Sequence, residues 1–216
     1  MARPIQFDRD DVLNKALGLF WSDGYEASSI SQLLDVMGLN RGSLYSSFSD
    51  KSSLFKEVLE FYFQRISLLL LKPNLIEIDD PIESIRSFFY QALLYEDSSI
   101  LSKGCFLFNT VSELSNTRPD LADGANDYLF KIRQMFAHRI EEAKVMGLVK
   151  TRSESGTIGN SSSENSSEKA WDSSEAQANY LMSVLAGLRI QCKMGFDRVE
   201  IKRTIDRALD SLFVQP

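Results

Sequence analysis

The residues best suited to do chemistry lie in one stretch, residues 28–51, which reads SSISQLLDVMGLNRGSLYSSFSDK. Asn40 stands where it can cap a short helix, and Arg41, Gly42 and Ser43 follow at that helix's amino end. These three are short or flexible enough to approach a groove closely. The first N–H groups of a helix lack intrahelical partners and favour phosphate oxygens. The chemistry on offer is therefore noncovalent recognition, not bond making. Two other stretches carry residue types suited to chemistry. Lys103-Gly104-Cys105 opens a helix, where the helix end and a nearby ammonium favour a reactive thiol. The opposing reading is a buried, inert cysteine, since free Cys is among the most buried residue types. His138 is followed one turn on by Glu141 and Glu142, a set incomplete for a metal and lacking a nucleophile. It reads as a surface or packing histidine. No paired histidines, glycine-rich phosphate loop or metal-ligand spacing points to an enzyme, and no cofactor is implied.

Apolar positions recur at helical spacing almost throughout, so the expected fold is all-α. Asp8 is the N-cap of a first helix carrying Val12, Leu13, Ala16, Leu17, Phe20 and Trp21, and Gly24 ends it. A second helix opens at Ser28 or Ser29 and aligns Ile30, Leu33, Leu34 and Met37 on one face. Gly38-Leu39 breaks it, and Asn40 starts a third helix reaching Phe48. Two short helices joined by a glycine-bearing turn form a helix-turn-helix, with Leu33 and Leu34 facing Leu44 and Phe48 and Leu39 plugging the corner. Asp50 caps a long fourth helix over 51–71, which Pro73 is expected to close. Further helices are expected near 81–96, 104–116, 119–146, 174–194 and 198–213, the last opening on a capping box at Asp197 and Glu200. This gives about nine helices: a reading domain at 1–50, a connecting helix at 51–71 and a larger helical domain at 72–216.

Composition narrows the function classes. With 44% hydrophobic residues the chain holds enough apolar material for a core, which excludes disorder of the whole. Its longest apolar run, residues 66–71, falls far short of the roughly 18 residues a membrane span needs. The first seven residues lack the apolar stretch of a signal peptide. Two cysteines 87 positions apart build neither a disulfide framework nor a zinc ribbon, and a cytoplasmic protein is expected. Net charge is −6, and the first 66 residues hold seven Lys/Arg against nine Asp/Glu. Any affinity for a polyanion must therefore come from a few placed cations and helix ends, not from bulk charge. Residues 151–170 contain seven serines and one large apolar residue, Ile158, so this insert is expected to be a flexible linker.

Gly42-Ser43-Leu44-Tyr45 and Phe48-Ser49-Asp50-Lys51, set behind an apolar second helix and its glycine turn, resemble the recognition segment of the TetR family of bacterial transcriptional regulators. The specific likeness covers about 65 residues, and the rest agrees in general plan. Many members carry histidine where this chain has Ser47. The resemblance implies a repressor that binds double-stranded DNA at a near-palindromic operator and is released by a small-molecule inducer or a thiol-reactive signal. Ser28 or Ser29 would then hydrogen-bond a backbone phosphate, and Arg41 and Ser43 would reach base edges, arginine favouring guanine. Tyr45 and Lys51 would hold phosphates, Gly42 would permit close approach beside Asn40, and Arg3 would reach a neighbouring groove.

The same resemblance implies a homodimer whose last two helices pair as a four-helix bundle, with Leu181, Leu185 and Leu188 on one and Ile205, Leu209 and Leu212 on the other. Part of each stripe must also serve the chain's own core, and Gly187 leans toward the interface. Phe88, Phe89, Phe106, Asn109 and Tyr128 are candidates for an inducer pocket, with Glu113 and Gln134 as further orienting groups. The alternative for each aromatic is simple core packing. The stretch from Gly104-Cys105 to Glu113-Leu114 resembles a branch in which this cysteine recurs, making Cys105 a candidate redox or electrophile sensor. Signal at the fourth to seventh helices would swing the fourth and spoil the spacing of the two reading heads. A helical partner-binding protein with a vestigial helix-turn-helix, or a small helical enzyme, remain as alternatives.

Overall fold

The structure, a computed structural model, describes residues 7–150 and 171–214. Helices dominate it: α1 (Arg9–Asp23), α2 (Ile30–Met37), α3 (Arg41–Phe48), α4 (Lys51–Ile66), α5 (Pro81–Tyr90), α6 (Ser98–Leu101), α7 (Phe106–Leu114), α8 (Pro119–Val145), α9 (Ser174–Lys193) and α10 (Arg198–Leu212). The only β-pairing among the described residues is one antiparallel bridge, Val149 to Phe213. Arg3 and the Ser-rich insert lie outside the described residues.

The first four helices begin where the sequence places their caps. Asp8 accepts from the N–H groups of Asp10 and Asp11, Asn40 from Ser43 at 2.8 Å, and Asp50 from Ser53 at 2.7 Å. Each satisfies a donor that the helix itself leaves unmet. The capping box falls elsewhere than expected. Ser29 and Gln32 form one at α2, whereas Asp197 caps Val199 alone and Glu200 turns to Arg203 at 2.6 Å. Gly38, at φ +68, closes α2 by letting Leu39 N–H reach Leu34 C=O at 3.1 Å.

Pro73 does not close the fourth helix. Beyond Ile66 the chain widens into a π-helix, Ser67–Ile76, that carries Pro73 inside it. A proline removes one N–H and crowds the preceding turn of an α-helix, and a wider turn relieves that crowding. A second π-helical run, Gln91–Tyr95, follows α5, and α6 is a single turn that apolar periodicity does not announce.

The chain divides into two compact units. Unit 1 joins residues 1–67 to residues 105–129, so α7 and the first turns of α8 pack with α1–α4. Its core is aromatic: Phe20, Phe55 and Tyr25 meet at centroid distances of 4.9 to 6.1 Å, and Phe106 lies 5.8 Å from Phe55 and 5.5 Å from Tyr62. Unit 2 takes residues 68–104 and 130–216. Phe88 and Phe89 pack on Phe136 there, beside the fully buried Ile85, Leu93, Ile140, Leu181 and Ile205. Buried Arg139 donates to Ser84 Oγ and to the carbonyls of Ile78 and Asp79 and pairs with Glu142, while buried Arg189 pairs with Glu96 at 2.9 Å.

Candidate nucleic-acid interface

Leu33, Met37, Leu44 and Phe48 are buried, with Ile30, Leu34 and Leu39 half-buried around them, so the α2–α3 corner is fixed by its own apolar residues. That packing consumes one face of α3 and leaves the other to solvent. Arg41 and Gly42 are exposed at its amino end, Ser43 is half-buried, and Tyr45 is 45% exposed one turn on. Tyr45 therefore faces solvent and does not fill the core. The Asn40 side chain is occupied by its cap to Ser43, and the first amides of a helix, here those of Arg41 and Gly42, have no acceptor within the helix. Gly42 has a local reason as well: a Cβ there would sit 3.3 Å from the capping oxygen of Asn40.

Two expected phosphate contacts need revision. Ser28 is fully buried, and its hydroxyl donates to Gly24 C=O at 2.6 Å. It therefore braces the turn before α2 and presents nothing to a ligand. Ser29 is exposed at the helix end, but its hydroxyl donates to Gln32 Oε1 at 2.7 Å and accepts from Gln32 N–H at 3.2 Å, so a phosphate would have to replace the first of these bonds. Lys51 is only half-exposed, its ammonium 4.3 Å from the centre of the Tyr25 ring. Loss of solvent pulls its pKa below the ordinary lysine value, although the carboxylates of Glu26 and Glu113 oppose that shift. Cation–π contact and burial hold this lysine at the base of the head, not out along α3.

Sequence reasoning missed a polar cluster behind this surface. Glu113, expected as a ligand-orienting group, spends both carboxylate oxygens on the turn between α1 and α2. Tyr25 N–H donates to Oε2 at 3.1 Å and Glu26 N–H to Oε1 at 2.9 Å. Arg118 donates to Tyr25 Oη and Ser52 Oγ, each at 3.0 Å, and those two hydroxyls are 2.9 Å apart. Asp120 orients the guanidinium with two bonds of 2.9 Å, which also hold the Asp120 carboxyl below its ordinary pKa. A run of polar residues after an apolar helix is the only sequence signal of this cluster. Nothing local ties it to residues nearly ninety positions earlier.

The remaining candidates fall in both units. Phe88 and Phe89 belong to the core of unit 2, whereas Phe106, Asn109 and Tyr128 belong to unit 1. Phe106 sits in the aromatic core, and Tyr128 stacks on Phe63 at 4.2 Å, its phenol pushed up by burial and then by the charges of Glu60 and Asp127. Phe88, Phe89 and Phe106 are thus core fillers, as large aromatics usually are. A cleft of about 450 Å³ in unit 2 is lined by other residues, among them Arg86, Tyr90, Lys202, Asp206 and Phe213. Cys105 is half-exposed at the N-cap of α7 and makes no side-chain cap bond, while Cys192 is buried. His138 is exposed, 3.5 Å from Glu142.

The six residues expected at a dimer interface are buried within the chain itself: Leu181, Leu185, Leu188, Ile205, Leu209 and Leu212 are each at most 5% exposed. The reason is that α9 and α10 pack on each other, α9 also on α6 and the Gln91–Tyr95 run and α10 also on α5 and that run, and a helix stripe can face one partner only. A different apolar set faces solvent on and after α9, comprising Ile190, Met194, Phe196 and Val199, with Gly187 open beside it. Among the described residues no helix is long and apolar enough to cross a membrane.

Residues 12–58 match the family model described as bacterial regulatory proteins, tetR family. Over 125 residues the chain is 36% identical to the HTH-type transcriptional repressor ComR of Escherichia coli (strain K12). That match covers 57% of this chain and 58% of ComR, so the chain spans less than two thirds of that relative's length. The fold is similar to a cysteine mutant of the TetR family transcriptional regulator CifR complexed with 26-bp double-strand operator DNA, with a TM-score of 0.78 at 22% identity, covering 98% of this chain and 100% of that one. It is also similar to the reduced form of E. coli NemR, with a TM-score of 0.73 at 16% identity, covering 94% and 96%.

Proposed function

We propose that this chain, whose residues 12–58 match the tetR family model, is a cytoplasmic, DNA-binding transcriptional repressor of that family. The observation that carries the proposal is the solvent-facing amino end of α3. Its opposite face is locked into the core, so Arg41, Gly42 and Tyr45 are offered outward on a short helix, with Ser43 half-buried among them. Arg41 reads base edges, Ser29 and Tyr45 hold phosphates, and Gly42 keeps the backbone close to the groove. Lys51 flanks the set and adds positive charge at its base.

One such helix on an acidic chain binds weakly. Two copies related by a twofold axis place two reading helices in successive major grooves, roughly 34–36 Å apart. The surface we assign to that pairing is Gly187, Ile190, Met194, Phe196 and Val199, since these are exposed where the expected leucines are not. The releasing signal is a small molecule or modification of Cys105, a half-buried residue at the N-cap of α7 that makes no side-chain cap bond.

Selection of duplexes from a random-sequence pool by the full chain tests this. A near-palindromic sequence should be enriched, and its affinity should fall steeply with salt. Replacing Arg41 with alanine should relax the preference at one base pair of each half-site. Equal binding to enriched and random duplex at moderate salt would overturn the regulator reading.

A further inference from the structure

The chain enters the helix-turn-helix through Tyr25 and Glu26 and leaves it through Ser52, and one short distant segment grips all three. Glu113, on the last turn of α7, receives the N–H groups of Tyr25 and Glu26. Arg118, in the turn before α8, binds Tyr25 Oη and Ser52 Oγ together, closing a three-membered polar ring with them. We propose that Glu113 and Arg118 are positioning residues for DNA reading: they clasp the helix-turn-helix at its entry and its exit and so fix the pose of α3. This inference rests on the DNA-binding reading above.

Three independent features support a fitted clasp. Charge-assisted bonds from backbone N–H groups to a carboxylate are the strong kind, and both oxygens of Glu113 are used. Gly24 has φ +83, and a Cβ there would meet the Glu113 carboxylate at 2.7 to 2.9 Å. The carboxylate therefore occupies room that only glycine leaves. Asp120 meanwhile holds the Arg118 guanidinium in one orientation, so its fork meets Tyr25 and Ser52 at a fixed angle. Tyr25 is buried under this arrangement, with its ring against Phe20 and Phe55 and the Lys51 ammonium over its face. Movement of α7 or of the α7–α8 turn must reach Tyr25, and through it both ends of the reading pair.

The test compares full-length wild type with Glu113→Gln, which keeps the shape but turns one acceptor oxygen into an amide N–H₂ facing a backbone donor. Tyr25→Phe is the second variant; it removes the phenolic oxygen and leaves the core ring. Three quantities are read: amide exchange at Tyr25 and Glu26, affinity for the duplex enriched from the random pool, and affinity for a scrambled duplex. Glu113→Gln should speed exchange at those two amides at least tenfold. Both variants should weaken binding to the enriched duplex about tenfold and leave scrambled-duplex binding and its salt slope within twofold. Unchanged affinity for the enriched duplex alongside fast exchange overturns the proposal. So does a parallel loss of both affinities with a lowered melting temperature, which marks a purely structural role. If wild type enriches no sequence, the regulator reading fails by itself. Exchange then decides the clasp, which stands only if the Tyr25 and Glu26 amides are protected in wild type and lose that protection in Glu113→Gln.

Discussion

The two units of this chain place function and core in opposite ways. In unit 1 the reading surface is what remains after packing: Leu33, Leu44 and Phe48 go inside, and Arg41 and Tyr45 stay out. In unit 2 the conspicuous apolar stripes of α9 and α10 go inside, and the candidate pairing surface is the less regular set around Ile190 and Met194. A polar residue on a short capped helix has few places to hide. A leucine stripe on a long helix can face its own chain or a second copy, and spacing alone does not distinguish the two.

Substitutions can break or sharpen that contrast. The largest effect should come from Leu181→Ala, which empties a fully buried site in unit 2 and should cost about 3 kcal/mol in urea unfolding. Ile190→Ala, at a position 60% exposed, should leave folding within about 0.5 kcal/mol. It should instead weaken self-association by analytical ultracentrifugation. Reversed effects of the two would return the leucine stripe to the interface. Next in size is Gly24→Ala in unit 1. Its backbone, at φ +83 and ψ 172, lies in a region nearly reserved for glycine, and the new methyl meets Glu113. A loss of about 2 kcal/mol in thermal unfolding is expected.

Asn40→Ala removes the cap of α3 and should cost about 1 kcal/mol of stability, with a matching loss of helical signal from the head. The smallest effect concerns Asp50. Bonds from Ser53 hold its carboxyl below the ordinary carboxylate range, so its capping contribution is complete above about pH 4 and fades as the pH falls toward the lowered value. Asp50→Asn keeps a capping oxygen without the titration. Melting temperatures measured between pH 5 and pH 3 should therefore fall less steeply for the variant than for wild type.

Much of unit 1 was legible because its signals are local. Asp8, Ser29, Asn40 and Asp50 satisfy donors two or three residues away, and Gly24 and Gly38 take backbone angles that other residues resist. Caps, glycines and apolar spacing were enough to draw α1 to α4 and the exposed end of α3. Local reasoning failed at Lys51, whose partner Tyr25 lies 26 positions back along the chain. It failed also where a local signal admits two outcomes: the Ser28 hydroxyl turned inward to Gly24, and Pro73 was absorbed by a wider helical turn.

Taken alone, the order of residues determined α1 to α3, the start of α4, the corner between α2 and α3, and the exposure of Arg41, Gly42 and Tyr45, because those depend on bonds within one or two turns. Only the tertiary structure decided that Glu113 and Arg118 reach Tyr25 and that the α9 and α10 leucines serve this chain's own core. Burial is shared among segments distant in sequence, and periodicity fixes that a face is apolar without fixing what it meets.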